Sequence, residues 1–327
     1  MVGIPGVYKV ADLLARGVTG RTIEWAHRSG RFVRLRRGIY CERDVWDKSA
    51  SSPADRHAIH LYAAWLAIGK RGWASGYSAA LLLELPVPRG QPDVVELSTV
   101  RRAGGPGSSG QRPGGQRSYP GLRVRATGPL VEGEFVVVRD VLSASPARTA
   151  LDVARHYGFG AGLVIADAGL HGRVIEPGEL AKVSDRMAGW GKSHDARSVA
   201  HHASVTRESP GESCSYATFV TAAFPLPECN AWVVGEGRGG IRADFLWRRY
   251  RLVGEVDGFQ KYTNPTWATS GQVLLDEKKR QMRIEEAGFV VVRWTPAEAM
   301  YEPRSILDRI VRQSRIAARM YGVPPMG

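Results

Sequence analysis

Three carboxylates lie close together in the last third of the chain: Asp244 in GGIRADFLW (239–247), and Glu255 and Asp257 in RLVGEVDG (251–258). The residues around them are apolar enough for two β-strands, and RRY between them reads as a short hairpin connection. Alternation along the second strand puts Val253, Glu255 and Asp257 on one face, and Leu252, Gly254 and Val256 on the other. Asp244 precedes Glu255 by 11 residues, so a three-residue turn sets the two beside each other on a common face. Bringing three negative charges together costs on the order of several kcal/mol in repulsion and desolvation unless a cation is present. An all-oxygen ligand set with room for water suits Mg²⁺ or Mn²⁺. The alternative is that nearby arginines such as Arg242 or Arg251 neutralise the acids and no ion is needed.

The surrounding segments supply a frame for these acids. ESCSYATFVTAA (212–223) predicts a helix with Glu212 near its start, and QVLLDEKKRQMRIEEAG (272–288) a helix closed by Gly288. FVVVRWT (289–295) is a continuous apolar run, expected as an inner strand. The pattern Glu212-Ser213, Asp244-Phe245, Glu255-Val256-Asp257-Gly258, Asp276 with Arg280, and Gly288-Phe289 with Arg293 resembles the PD-(D/E)xK nuclease superfamily. It is most similar to the domains related to very-short-patch-repair endonucleases, over about residues 205–300. That resemblance implies a restriction-endonuclease-like αβββαβ core and metal-dependent phosphodiester hydrolysis. It implies Asp244 and Glu255 as metal ligands and Glu212 as an auxiliary acid. The superfamily often has lysine two residues after the glutamate; here Asp257 stands there, as a further ligand or a water activator. Lys261 replaces the subgroup's histidine and would stabilise charge on the phosphate. The identity of the general base stays open.

The chain as a whole is basic. Among 327 residues, 45 Lys and Arg face 32 Asp and Glu, a net charge of +13. Such an excess points to a polyanion, nucleic acid before an anionic membrane surface, with solubility alone as the plain alternative. The excess is concentrated at the start. Residues 1–40 hold eight basic side chains against two acidic ones. Val10, Leu13 and Leu14 sit at helical spacing with Gly17 as a stop, and Thr19 caps a second helix to about Arg28 with Ile23 and Ala26 or His27 inward. RFVRLRRGIY then reads as a two-stranded wing turning near Arg37-Gly38. This is the order of a winged helix-turn-helix. Arg21 and Thr22 open the recognition helix, Arg28 closes it, and Arg31, Arg34, Arg36 and Arg37 of the wing would grip phosphate. The alternative is a small helical cap with a solvated arginine face.

GVTGRTIEWAHRSGRFVRLRRGIY resembles the N-terminal winged helix of the AbiEi family, antitoxins of type IV toxin–antitoxin systems. ASGYSAALLLELPVP and RDVLSASPARTALDVAR are similar to later AbiEi segments and carry the resemblance to about residue 175. It implies binding to the protein's own promoter and a cognate toxin as a partner. In this middle region, 55–69, 75–85 and 146–158 read as helices, and 93–100 and 134–141 as strands. Arg148 and Asp152, four apart, read as a structural pair. The Gly/Pro/Ser-rich basic stretch 101–120 cannot bury enough surface to order itself unless bound. Residues 193–213 read as a linker or helix end.

The three cysteines are far apart, so neither a disulfide framework nor a zinc ribbon is expected, and a reducing cytoplasm fits. No signal-peptide core and no run of about 18 apolar residues is present, so no membrane span is expected. The expected organisation is multidomain α/β: a winged helix over 1–48, an α+β middle domain over 49–200, and a nuclease-like domain over 201–327. Three functions remain in contention: a Mg²⁺- or Mn²⁺-dependent DNA endonuclease, a non-enzymatic repressor or antitoxin with a silent nuclease fold, and a protein-binding antitoxin whose C-terminal domain masks a toxin. Double-stranded DNA is the partner in the first two, and a cognate toxin in the third.

Overall fold

The computed structural model describes residues 4–87, 94–100, 116–119, 121–237, 239–257 and 267–326. The chain divides into two compact units, Met1–Gly169 with Val174–His201, and Leu170–Arg173 with His202–Gly327.

In the first unit, β1 (Val7–Lys9) runs directly into α1 (Val10–Ala15), and α2 (Gly20–Arg28) follows. Thr19 caps α2, its hydroxyl accepting the Thr22 amide at 3.2 Å. Ile23 and Ala26 are its buried positions, and His27 is exposed. β2 (Phe32–Arg36) and β3 (Ile39–Glu42) turn at Arg37-Gly38, where Gly38 takes φ +72°. β1 adds to this wing, giving a three-stranded sheet in the order β1-β3-β2 instead of the expected two strands. Three residues are too few to show a strand's period. Leu14 is exposed while Leu13 is buried, because α1 is under two turns long and offers the core a single position.

α3 (Arg43–Lys48) and α4 (Pro53–Ala67) lead to β4 (Trp73–Ala74), α5 (Gly76–Leu82), β5 (Val95–Val100) and β6 (Gln116–Tyr119). β7 (Leu122–Thr127), β8 (Phe135–Val138) and β9 (Val141–Ala144) complete a sheet ordered β6-β7-β5-β4-β9-β8. The run 134–141, expected as one strand, is a hairpin. Arg139 and Asp140 both take positive φ, 49° and 60°, the conformation a two-residue turn needs. Residues 116–119 of the basic stretch form β6, and the expectation of mobility for 101–115 lies outside the described residues. α6 (Pro146–Tyr157), α7 (Phe159–His171), α8 (Glu179–Arg186) and α9 (Ser193–His202) follow, so the stretch read as a linker begins with a helix.

Val7, Ile39 and Cys41 of the wing share one core with Leu61, Leu97, Leu122 and Val141. Arg148 is fully buried between Asp152 at 2.7 Å and Glu134 at 2.6 Å, a structural pair as its spacing indicates. His57 is also buried. Ser78 Oγ accepts the Glu96 amide at 2.8 Å, leaving its hydrogen for His57 Nε2 at 2.7 Å, which suits a neutral ring. Burial, helped by His60, pushes the His57 pKa down to about 4. Its folded pKa lies below the unfolded value, so stability present above about pH 6.5 is lost as pH falls toward 4. Between pH 7 and 5 the wild type should lose about 2 kcal/mol more than His57→Gln, read by denaturant unfolding at the two pH values. Parallel losses in both proteins would refute a neutral His57.

The second unit begins with α10 (Pro210–Thr221), β10 (Glu228–Val234), β11 (Ile241–Trp247) and β12 (Leu252–Val256). α11 (Trp267–Glu286), β13 (Val290–Trp294), α12 (Pro296–Tyr301) and α13 (Pro303–Tyr321) follow. The order through β13 is helix, three strands, helix, strand. β10, β11 and β12 pair antiparallel, and β13 joins β12 in parallel. The expectation of an inner position for 289–295 is corrected: β13 is the sheet's edge, and β12 is inner. β13 is apolar because helices cover both of its faces, with Ile284 of α11 in the core on one side and Ile306 and Ile310 of α13 on the other. Among the described residues no helix is long and apolar enough to cross a membrane.

Candidate functional site

The hairpin between β11 and β12 fixes the acids. Phe245 pairs with Gly254, Leu246 with Val253 and Trp247 with Leu252, so the next step sets Asp244 opposite Glu255. The connection is a tight turn over Arg248–Tyr250 closed by Arg251 at φ +50°. Asp244 Oδ2 accepts the Val256 amide at 2.7 Å. Burial pushes its carboxyl up to about 6 against that hydrogen bond, and the negative charge of Glu212 adds to the rise.

Glu255 is 4% exposed, and each of its oxygens meets a guanidinium. Arg280, reaching across from α11, bonds Oε1, and Arg293 lies 2.9 Å from Oε2. The parallel register of β12 and β13 puts Glu255 directly beside Arg293. Burial pushes Glu255 up, and the two guanidinium groups oppose that rise. Arg293 also pairs with Glu277 and lies 3.5 Å from Asp257, which is half exposed. The arginines expected beside the acids do other work: Arg242 pairs with Glu208, and Arg251 lies over the Phe289 ring. Arg280 and Arg293 take that place because helix packing and strand register, not nearness in sequence, bring them there. Glu212 belongs to the cap of α10. It accepts from Ser209 Oγ at 2.7 Å, the Glu208 amide at 3.0 Å and Asn230 at 2.9 Å. Lys261 lies outside the described residues.

For Mg²⁺ or Mn²⁺ the decisive question is which oxygens are open. Both of Glu255's are taken by guanidinium and one of Asp244's by an amide. Among the described residues no group of three or more His, Cys, Asp and Glu side chains is placed to hold a metal ion. As arranged, Glu255 has neither oxygen free for a divalent ion.

The winged helix offers a different chemistry. Arg21 and Thr22 are exposed in the first turn of α2, and Arg34 and Arg37 are exposed on the wing. Among the described residues Arg21, Arg34 and Arg37 make no ion pair. Arg31 lies 5.1 Å from the ring centre of Trp25, which is 54% exposed. Trp25 was not expected at the site, yet with Ile23 and Ala26 inward, a tryptophan on the outer face of α2 is the signal. Arg28 is paired with Glu24 one turn back. Arg36 departs furthest from expectation: it is half-buried and donates to the Gly121 carbonyl at 3.2 Å, so it braces the wing against the β6–β7 turn.

Residues 5–43 match the family described as transcriptional regulator, AbiEi antitoxin. The likeness expected to run to about residue 175 is shown over that stretch. An uncharacterized protein of Mycobacterium tuberculosis (strain CDC 1551 / Oshkosh) is 28% identical over 208 residues, 62% of this chain and 74% of that protein. Its counterpart in strain ATCC 25618 / H37Rv shows the same identity and coverage.

Proposed function

We propose that the protein is a DNA-binding transcriptional regulator of antitoxin type that reads duplex DNA through its N-terminal winged helix. The observation that carries this reading is a coincidence of place. The stretch matching the AbiEi regulators is the one whose first helical turn and wing hold Arg21, Arg34 and Arg37 exposed and free of ion pairs. Arg21 and Thr22 of α2 meet base edges in the major groove, and Arg34 and Arg37 meet phosphates on either side. Trp25, with Arg31 stacked on it, gives the recognition helix an amphipathic shoulder. Selection from a pool of random duplexes should enrich one short palindromic or repeated site; equal affinity for every duplex counts against the reading. On the same reading a cognate toxin is the protein partner, and failure of the chain to relieve growth arrest by the product of a neighbouring gene counts against that.

A second reading makes the C-terminal unit a metal-dependent nuclease on Asp244, Glu255 and Asp257, with Glu212 in support. The register of Asp244 against Glu255, the raised Asp244 pKa and the order of elements favour it. It requires Arg280 and Arg293 to give up Glu255 before any ion can enter. The regulator needs no such rearrangement, and the cluster then serves as an internal brace for a DNA-bound fold.

A further inference from the structure

α13 buries Ile306, Ile310, Ser314 and Ala317 in the core of the second unit. Their spacing of four, four and three residues gives the helix one inward stripe, and the stripe opposite is basic. Arg304, Arg312, Arg315 and Arg319 are exposed there, with Asp308 among them. At 100° per residue the four arginines fall within an arc of about 80°, spread over roughly 22 Å of helix. Among the described residues none of the four makes an ion pair, whereas Arg309 on the flank is held by Glu298 and the Arg293 carbonyl. A cation in a helix's last turn is explained by the macrodipole, but that reaches Arg319 alone and leaves Arg312 and Arg315 without a reason.

We propose that this guanidinium row, Arg312, Arg315 and Arg319 with Arg304 at its start, is a second phosphate-contact surface for duplex DNA. It lies in the C-terminal unit and is separate from the winged helix. The proposal rests on the DNA-binding reading and extends it. Guanidinium groups match phosphate oxygens in paired hydrogen bonds, and a row of them needs only charge at the surface to hold a backbone. An anionic membrane is the weaker fit. A helix that inserts into lipid needs its apolar stripe free, and here that stripe is in the core, leaving only Ile316 and Met320 outside.

The test uses the full chain and a non-specific 20-base-pair duplex, with anisotropy read across a salt series. R312Q/R315Q/R319Q should flatten the slope of log K against log salt by about 2.7, or about 0.9 per lost phosphate contact, and lower affinity at least tenfold near 0.1 M salt. Preference for the selected site should survive, because the winged helix is untouched. R312K/R315K/R319K, which keeps the charge, should restore the slope. A wild-type slope in the glutamine variant overturns the proposal and leaves the regulator reading standing. Loss of binding to phosphatidylserine vesicles with DNA binding intact also overturns it, in favour of a membrane. No duplex binding by wild type at any salt overturns the regulator reading and this proposal with it.

Discussion

Replacing Arg21, Arg34 and Arg37 together by alanine is expected to lower affinity for the selected duplex about 100- to 1,000-fold near 0.15 M salt, with the fold unchanged. The arithmetic follows from what each group does. A phosphate contact is worth about one released counterion, and a base contact from arginine about 1–3 kcal/mol. All three side chains are exposed and unpaired among the described residues, so their removal leaves no buried partner stranded. The single variants should separate. Arg34→Ala and Arg37→Ala weaken every duplex alike and flatten the salt dependence, while Arg21→Ala erodes preference for the selected site. Arg36→Ala should behave differently again, loosening the wing through its lost bond to Gly121. The measurement is anisotropy on selected and scrambled duplexes across salt. A triple variant binding as wild type would remove the winged helix from any role in DNA recognition.

What could be read in the residues, and what could not, divides along physical lines. The wing was legible because cap, glycine turn and arginine alternation are local, and Thr19, Gly38 and Arg34 each act within a few residues. The hairpin opposing Asp244 and Glu255 was legible because a short turn and a period of two fix a register. β10 gave no usable signal: in ECNAWVV polar and apolar residues do not alternate cleanly, and its burial is intermediate throughout most of its length. The break at Arg139-Asp140 was hidden because neither residue is glycine, and the positive φ there is imposed by pairing of the flanking strands. The fate of Glu255 was hidden for a deeper reason. Its counter-ions come from residues 25 and 38 positions later, Arg280 through α11 and Arg293 through a parallel crossover. Alternation says which face a side chain takes, and it cannot say which distant strand will lie alongside.

That pairing sets the second large effect. Replacing both Arg280 and Arg293 by alanine is expected to destabilise the C-terminal unit by about 3–5 kcal/mol, since a carboxylate 4% exposed loses both of its counter-charges. Denaturant unfolding of the full chain, followed by the fluorescence of Trp247 and Trp294, measures it. Adding Glu255→Gln should recover much of the loss, because the charge left stranded is gone and an amide needs only hydrogen bonds. Failure of that third substitution to recover stability would mean the arginines act by packing alone. The same proteins decide between brace and metal site. If guanidinium is the native counter-ion, millimolar Mg²⁺ should leave wild-type unfolding where it is. If a divalent ion is, Mg²⁺ must stabilise the wild type by mass action, and the gain must vanish in Asp244→Asn, whose amide keeps the shape but not the charge. Mg²⁺-dependent stabilisation together with nicking that disappears in Asp244→Asn would overturn the brace and make Arg280 and Arg293 occupants that the ion displaces. Because the two readings assign the same buried charge to different partners, the identity of that partner, and not the presence of the acids, decides whether this unit holds DNA or cuts it.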